Sequence, residues 1–260
     1  MKIFSKIASA TVVLFTLSCF SSCYKIYDYV KQHPGAEVDV CRVKYLFEQT
    51  DTITIHYNAA GDPIDMIKNH LTIGGSWQSD KVFRYDNAHR LTDYIWATKG
   101  SDYRLIWHRY GYPKKSIITD SLFTYISDGS GPNPPKDNFS HVTIDSLDAQ
   151  DRIVKTTDYS KGSSDIFVTT FNYNAKGNLD LPYAVYDNKL SILHTSKVWM
   201  LLLNDYSVNN RLNRYGGTMT VTNYNAAGLP LDFTVAPGSY GNDILFVTPY
   251  HKLQIAYECE

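Results

Sequence analysis

Tyr57-Asn58-Ala59-Ala60-Gly61 has close copies at Tyr173-Asn174-Ala175-Lys176-Gly177 and at Tyr224-Asn225-Ala226-Ala227-Gly228. An internal repeat of this kind sets the architecture of a whole chain. In each copy a short polar residue follows the tyrosine, and a residue that tolerates a left-handed backbone comes four places after the tyrosine. This pattern is typical of a type I turn closed by a G1 bulge, which joins two antiparallel strands. We therefore interpret each copy as the tip of a β-hairpin.

Seven places fit this pattern, with Trp107 and Leu147 in place of the tyrosine in two of them and His108 in place of the short polar residue in one. None of the residues at the left-handed position is β-branched, as expected for a backbone with positive φ. We predict positive φ at Gly61, His89, Gly111, Asp151, Gly177, Asn210 and Gly228. If these tips lie along one rim of a sheet, we expect any binding site to lie elsewhere.

A second set of turn signals, such as Gly74-Gly75 and Gly216-Gly217, alternates with the tips. Strands joined at alternating ends form an up-and-down antiparallel meander. We predict an all-β fold of about 14–16 strands, strongly curved or closed into a soluble barrel, because flat sheets of that size are unusual. Charged residues occur within the strands at many depths, which argues against a lipid-facing band. Apolar residues at helical spacing predict a short helical or loop insertion near 188–204.

The first residues have the layout of a secretory signal, with Lys2 and Lys6 before an apolar stretch over 7–17. The segment Ser18-Cys19-Phe20-Ser21-Ser22-Cys23 then resembles the lipobox of bacterial lipoproteins, in which a cysteine is acylated after cleavage. We assign lipidation to Cys23, which two serines precede. Cys19 is the alternative lipidation site, and a plain cleaved signal is the alternative to a lipoprotein.

The predicted organisation is a lipoprotein signal peptide over 1–22, a flexible tether over 23–37 and a single β domain over 38–260. Loss of the two signal-peptide lysines changes the formal net charge from −1 to −3. A nearly neutral chain without a basic stripe is not expected to bind nucleic acid.

Two cysteines remain in the predicted domain, Cys41 near its start and Cys259 near its end. In an exported protein such a pair can be oxidised to a disulfide. If the first and last strands are neighbours, the bridge would close nearly the whole chain. Two free buried thiols are the alternative.

The motifs that announce catalysis or metal binding are absent from the sequence: no G-x-S-x-G, H-E-x-x-H, C-x-x-C, P-loop or EF-hand pattern occurs. We predict no catalytic residue, no metal site and no cofactor from local patterns. Two carboxylates from distant strands would leave no such pattern, so a glycosidase pair stays open. The 21 tyrosines and 4 tryptophans are ordinary strand residues, although they could also stack on sugars.

The phrases YDNAHRL (85–91), YNAKGNL (173–179) and YNAAGLPL (224–231) resemble the YD repeats of rearrangement-hotspot proteins. Together with the signal and the segment 186–212, they are similar to uncharacterised outer-membrane-associated lipoproteins of Bacteroidota. The resemblance implies a porin-like β fold and a lipid-anchored location in the cell envelope, at the outer membrane. The large rearrangement-hotspot proteins enclose a toxin, and this chain lacks the length for that role.

We therefore expect a lipid-anchored envelope lipoprotein that meets the membrane through its anchor and serves as a non-catalytic β scaffold for a glycan or an envelope protein. The alternative is a glycan-acting hydrolase that uses dispersed carboxylates.

Overall fold

The computed structural model describes residues 25–38, 41–47, 52–69, 79–98, 104–124, 138–214, 217–235 and 252–259. The predicted signal peptide and Cys23 lie outside the described residues. Helix α1 spans 25–32. The strands are β1 Cys41–Phe47, β2 Thr52–Tyr57, β3 Pro63–Lys68, β4 Ser79–Tyr85, β5 Leu91–Thr98, β6 Arg104–Lys114, β7 Ile117–Thr124, β8 Asn138–Leu147, β9 Ile153–Ser160, β10 Ile166–Thr170, β11 Tyr186–Leu190, β12 Asn209–Arg211, β13 Asn213–Arg214, β14 Gly217–Thr220, β15 Asp232–Val235 and β16 Lys252–Cys259.

The strands form an antiparallel meander, as predicted. One sheet of 14 strands has the order β10-β9-β8-β7-β6-β5-β4-β3-β2-β1-β16-β15-β14-β13, and β11 pairs with β12 in a separate sheet of two. The last strand, β16, pairs with the first, β1, and this joins the two ends of the domain. Among the described residues the large sheet is open, with β10 and β13 as its edges.

The predicted insertion consists of two short helices between β11 and β12. A 3₁₀ helix over Ile192–Thr195 leads into α2, Lys197–Leu203, and the Ser196 side chain caps α2 by accepting from the Val198 amide. Trp199 of α2 is fully buried and meets Phe83 of β4 edge-on, with ring centroids 5.7 Å apart. The described helices include none that is long and apolar enough to cross a membrane.

The sheet must curve around α2. One cluster of buried side chains includes residues of α2, β9 and β15. In the strand order β9 and β15 are ten spacings apart, about 48 Å in a flat sheet. A helix of seven residues is only about 10 Å long, so a flat sheet could not bring both strands to the same core. This confirms the strong curvature that the strand number predicts.

Five of the seven predicted positions have positive φ: Gly61, His89, Asp151, Gly177 and Gly228. At each of these tips the Asn or Asp side chain accepts two backbone amides, two and four residues further on. At the first tip, Asn58 Oδ1 accepts from Ala60 and Asp62, each at 2.9 Å. The same pair of bonds is made by Asp86, Asp148, Asn174 and Asn225.

Gly111 and Asn210 are not among the positive-φ residues, and here the prediction was wrong. Gly111 lies inside β6, opposite Thr119 of β7, because the chain turns later, between Lys114 and Ile117. Asn210 lies in β12 and is buried. Its side chain binds Asp187, the Leu190 carbonyl and the Ile192 amide, so a tertiary network fixes its extended backbone.

Described residues 25–37 do not form the flexible tether predicted for 23–37. Val30 of α1 is fully buried in a cluster with Leu190 and Val208. Beyond α1, Ala36 accepts a bond at 3.1 Å from the ring of His194, and the Glu37 carboxylate accepts from the Lys197 amide at 3.0 Å. The apolar face of α1 packs on the domain and the chain turns at Pro34-Gly35 after the helix, so the N-terminal segment is part of the domain.

Cys41 and Cys259 stand opposite each other in the β1–β16 ladder and are joined by a disulfide. Since their sequence separation is 218 residues, the bond closes nearly the whole domain into one loop. The structure thus contains the bridge rather than two free thiols.

Candidate binding site

Several tyrosines, in the repeat and in the strands beside it, donate to a backbone carbonyl of a neighbouring strand. Tyr85 donates to the Pro63 carbonyl at 2.6 Å, and Tyr112 donates to the Leu91 carbonyl at 2.8 Å. Burial raises the pKa of Tyr112 to about 12, so its hydroxyl stays protonated and able to donate. Equivalent bonds are made by Tyr57, Tyr173 and Tyr257.

The arginines of the repeat connect successive hairpins. Arg90 lies 2.7 Å from Asp86 of its own tip, and its guanidinium covers the ring of Tyr112 on β6 at 4.4 Å. Arg152 does the same with Asp148 at 2.7 Å and with the ring of Tyr173 at 4.1 Å. These contacts hold the hairpin tips together along one rim.

At this rim the tips enclose a cavity of about 370 Å³, which we call the rim cavity. The ends of the β2–β3, β4–β5, β6–β7 and β8–β9 hairpins form its wall, while α2 and the segment 35–37 cover it. Because a curved sheet brings strands β3 to β8 around α2, residues distant in the strand order share this one space. The rim cavity thus lies at the tips, whereas the sequence favoured a binding site elsewhere.

The floor of the rim cavity is apolar and its opening is charged. Leu91, Ile118, Leu147, Val198 and Leu201 supply the apolar lining. The charged lining residues are Glu37, Asp62, Arg90, Lys114, Lys115, Asp151 and Lys197, and the polar ring of His89 lies among them. A small-molecule site commonly combines such an apolar lining with a few polar groups that fix orientation.

Two of the acidic groups at the opening are occupied by bonds within the protein. Asp62 lies 2.8 Å from the Nδ1 atom of His89 and accepts from the Asn58 amide group at 2.9 Å. Glu37 accepts the Lys197 backbone amide. These contacts fix the carboxylates at the edge of the cavity.

The lysines at the opening have a different environment. Lys114, Lys115 and Lys197 are exposed. In the part of the chain that the structure describes, none of the three ammonium groups has an ion pair. A group of three unpaired positive charges above an apolar floor is suited to an anionic ligand with an apolar face.

A second polar cluster lies on the same face of the sheet as Phe83, further from the rim. Asp145 stands opposite Ile118 and Thr156, so the strand register places it diagonally between Asp120 and Asp158. Diagonal neighbours of this kind are about 7 Å apart. Asp120 lies 2.8 Å from His108, and Thr156 donates to Asp145 at 2.8 Å.

Burial raises the pKa of Asp145 to about 6, and the nearby carboxylates of Asp120 and Asp158 add to this rise, whereas the bond from Thr156 opposes it. One oxygen of Asp120 is buried without a hydrogen-bond partner among the described residues. This cluster could act as a proton donor and acceptor near neutral pH.

The predicted site residues are only partly brought together. His89 and Asp151 line the rim cavity, whereas Gly177 and Gly228 belong to other tips, and the Cys41–Cys259 bond lies in the β1–β16 ladder. Within the described ranges, no group of three His, Cys, Asp or Glu side chains is placed to hold a metal ion. The sequence did not predict that these lysines share a cavity. The pair Lys114-Lys115 in a turn only weakly indicates a binding site, and no local pattern marks Lys197.

No protein-family model matches this chain, and no curated protein does. Among solved structures, a porin-like protein from Bacteroides uniformis is similar at 10% identity over 85% of this chain and 99% of its own length, with a TM-score of 0.32. The structure of TcdB2-TccC3-TEV is 13% identical over 74% of this chain, with a TM-score of 0.23, and this chain spans 10% of its length. At such low scores, neither similarity supports an argument about function.

Proposed function

We propose that this chain is a lipid-anchored, non-catalytic protein of the cell envelope that binds an acidic glycan in the rim cavity. The observation that carries the proposal is the set of three lysine ammonium groups, without ion pairs among the described residues, above an apolar floor in a cavity of about 370 Å³. That volume lies within the range of small-molecule sites. The ammonium groups would bind carboxylate or sulfate groups of the glycan, and the apolar floor would contact the faces of its sugar rings.

The proposed location in the cell envelope rests on the signal-like segment 1–22 and on the two serines before Cys23. Attachment at the outer membrane is the location that the resemblance to Bacteroidota lipoproteins implies. An acidic polysaccharide of the cell surface would be within reach of a protein anchored there.

Titration of the mature protein with uronic acid oligosaccharides tests the binding proposal. Because a charge-assisted hydrogen bond contributes about 1.5–3 kcal/mol, Lys114→Glu and Lys197→Glu should each weaken binding by about tenfold or more. The matched control is Lys176→Glu, which makes the same charge change at an exposed tip outside the cavity.

Equal losses for Lys176→Glu and Lys197→Glu would contradict a site at the rim cavity. If no acidic oligosaccharide binds, but an envelope protein co-purifies with the wild type and is lost with Lys197→Glu, the same surface binds a protein instead.

The second candidate function is glycan hydrolysis, favoured by the cluster of Asp120, Asp145 and Asp158. Carboxylates about 5–10 Å apart are the geometry of a glycosidase pair, and a raised pKa is what a general acid needs. This hypothesis predicts release of reducing sugar from a polysaccharide by the wild type, and its loss in Asp145→Asn. Activity that survives Asp145→Asn, or no activity on any envelope polysaccharide, would remove it.

A further inference from the structure

The edge strand β10 exposes apolar side chains on both of its faces. All five of its residues, Ile166–Thr170, are exposed. Ile166, Phe167 and Val168 are each more than half exposed, at 56%, 61% and 55%. Successive side chains of a strand point to opposite faces of the sheet, so neither face of this strand is covered. An edge of this kind is a template for pairing with another chain.

The hydrogen bonds to β9 show which backbone groups of β10 face outward. The Phe171 amide, just after β10, donates to the Val154 carbonyl at 2.9 Å. In an antiparallel pair, residues bonded to the partner strand alternate with residues that are not. The register of β10 on β9 has no shift, so the amides and carbonyls of Ile166, Val168 and Thr170 point away from β9.

The chain itself covers this outer edge only beyond the end of β10. The Asn172 carbonyl, which the same alternation directs outward, accepts from the Asp180 amide at 2.7 Å, and Tyr173 forms a bridge with Leu179. After Asp180 the chain turns away. In the part of the chain that the structure describes, β9 is the only strand that pairs with Ile166–Thr170.

The composition of β10 indicates what kind of chain fits this edge. Natural sheets protect exposed edges with charged residues, prolines or very short strands. The other edge of the large sheet, β13, is only two residues long and contains Arg214. By contrast, the β10 sequence IFVTT has no charge and no proline. It therefore suits an equally uncharged strand, and a second β10 is such a strand.

Antiparallel pairing of two β10 strands around Val168 is self-complementary. It places Ile166 opposite Thr170 of the second copy, and Val168 opposite its own equivalent. Each outward-facing residue then meets an outward-facing residue, and the three pairs exchange about six backbone hydrogen bonds. A two-fold contact requires this property, because both copies present the same surface.

We propose that two copies of this chain associate through β10, with a two-fold axis at Val168 that joins their sheets into one. The contact leaves no further copy of this edge free, so assembly stops at the dimer. It also covers the apolar side chains at both faces of the edge. The inference uses neither the lipid anchor nor the rim cavity, and so goes beyond the proposed function.

Sedimentation equilibrium of the full chain, in a detergent matched in density to the buffer, measures the association. Wild-type protein should pass from monomer to dimer over about 1–500 μM, because small interfaces are usually weak. Val168→Lys places two ammonium groups side by side at the axis and should raise the dissociation constant by about tenfold or more. The matched control is Val185→Lys, at a valine that is 52% exposed outside β10, and it should leave the dissociation constant unchanged.

Cysteine cross-linking tests the register without adding charge. Val168→Cys places two thiols at the axis, on Cα atoms about 5.5 Å apart, and mild oxidation should give a covalent dimer. Thr170→Cys, on the same face, places its two thiols about 14 Å apart and should not cross-link by itself. A mixture of Ile166→Cys and Thr170→Cys should cross-link, because these positions face each other. Wild-type protein, treated alike, accounts for the other cysteines.

A wild-type protein that stays monomeric over the whole range contradicts the proposal. Dissociation constants that rise equally for Val168→Lys and Val185→Lys also contradict it, as do assemblies larger than the dimer. Cross-linking of Thr170→Cys alone that equals that of Val168→Cys excludes the axis at Val168. None of these results bears on glycan binding, which is measured separately.

Discussion

At the scale of the residue, each position of the repeat has a definable physical task. The Asn or Asp closes the turn by accepting two backbone amides, as Asn58 does at 2.9 Å. Tyr57, Tyr85 and Tyr173 donate to a backbone carbonyl of a neighbouring strand, whereas Tyr224 donates to the Asp187 carboxylate. The arginine, where present, covers the next ring. None of these tasks requires a ligand, so most tyrosines of the repeat are structural. The residues that point to chemistry, such as Asp145, stand outside the repeat.

Replacement of Asp145 by Asn should change how stability depends on pH. The carboxyl has an ordinary pKa of 3.8, and burial raises it to about 6 in the folded protein. The unfolded chain therefore loses its proton first, and folded wild-type protein should lose stability as pH rises from about 4 to 6. The loss amounts to up to about 3 kcal/mol. Asp145→Asn should not lose stability in this way, so the free energy of unfolding of the variant should increase relative to that of the wild type as the pH rises.

Urea unfolding at pH 4, 5, 6 and 7 measures the effect. The control is Asp180→Asn, which removes a charge from an exposed loop position and should keep the wild-type slope. Parallel pH profiles for wild type and Asp145→Asn would contradict the raised pKa.

At the scale of the element, the repeat encodes a hairpin tip. The two copies that do not form a tip show which contacts compete with the turn. The copy at Trp107 forms part of strand β6, because the chain turns between Lys114 and Ile117 instead. The copy at Tyr206 is buried beside α2 and β12, where side-chain networks determine the backbone. A local turn signal therefore decides the structure only where no stronger tertiary contact competes with it.

At Gly228 the cost in stability of placing a side chain on a left-handed backbone can be measured. Its φ is +80°, and a Cβ atom added there would meet nothing within 4 Å. Gly228→Ala should thus lower the free energy of unfolding by about 1–2 kcal/mol through backbone strain alone. Gly228→Asn should lose less, because asparagine tolerates this conformation. Thermal or urea unfolding of the three proteins gives the comparison, and identical losses for Ala and Asn would count against a left-handed tip.

At the scale of the whole molecule, two features turn a meander into one cooperative domain. The sheet curves around α2, so that Trp199 belongs to the same buried cluster as residues of β9 and β15. The final strand pairs with the first, and the disulfide joins them. Curvature also creates the rim cavity, because it brings the ends of four hairpins to the same helix.

Reduction of the Cys41–Cys259 bond should destabilise the domain by about 2–5 kcal/mol, since the bond constrains nearly the whole unfolded chain. Unfolding followed with and without a phosphine reductant measures this. The double variant Cys41→Ala with Cys259→Ala should already be destabilised and should not respond to the reductant. Two reactive thiols in the unreduced, denatured protein would contradict the bond.

The sequence by itself determined the hairpin tips, the antiparallel meander and the place of the helical insertion, because turn chemistry and strand periodicity act between neighbours along the chain. Only the tertiary structure decided that the segment over 25–37 packs on the domain, that Asn210 is extended, and that Lys114 and Lys197 face one cavity. Those outcomes depend on which distant surfaces meet when the sheet curves, and patterns of neighbouring residues do not predict how the sheet curves. The same reason left the acidic cluster around Asp145 invisible in the sequence, since its members come from three separate strands.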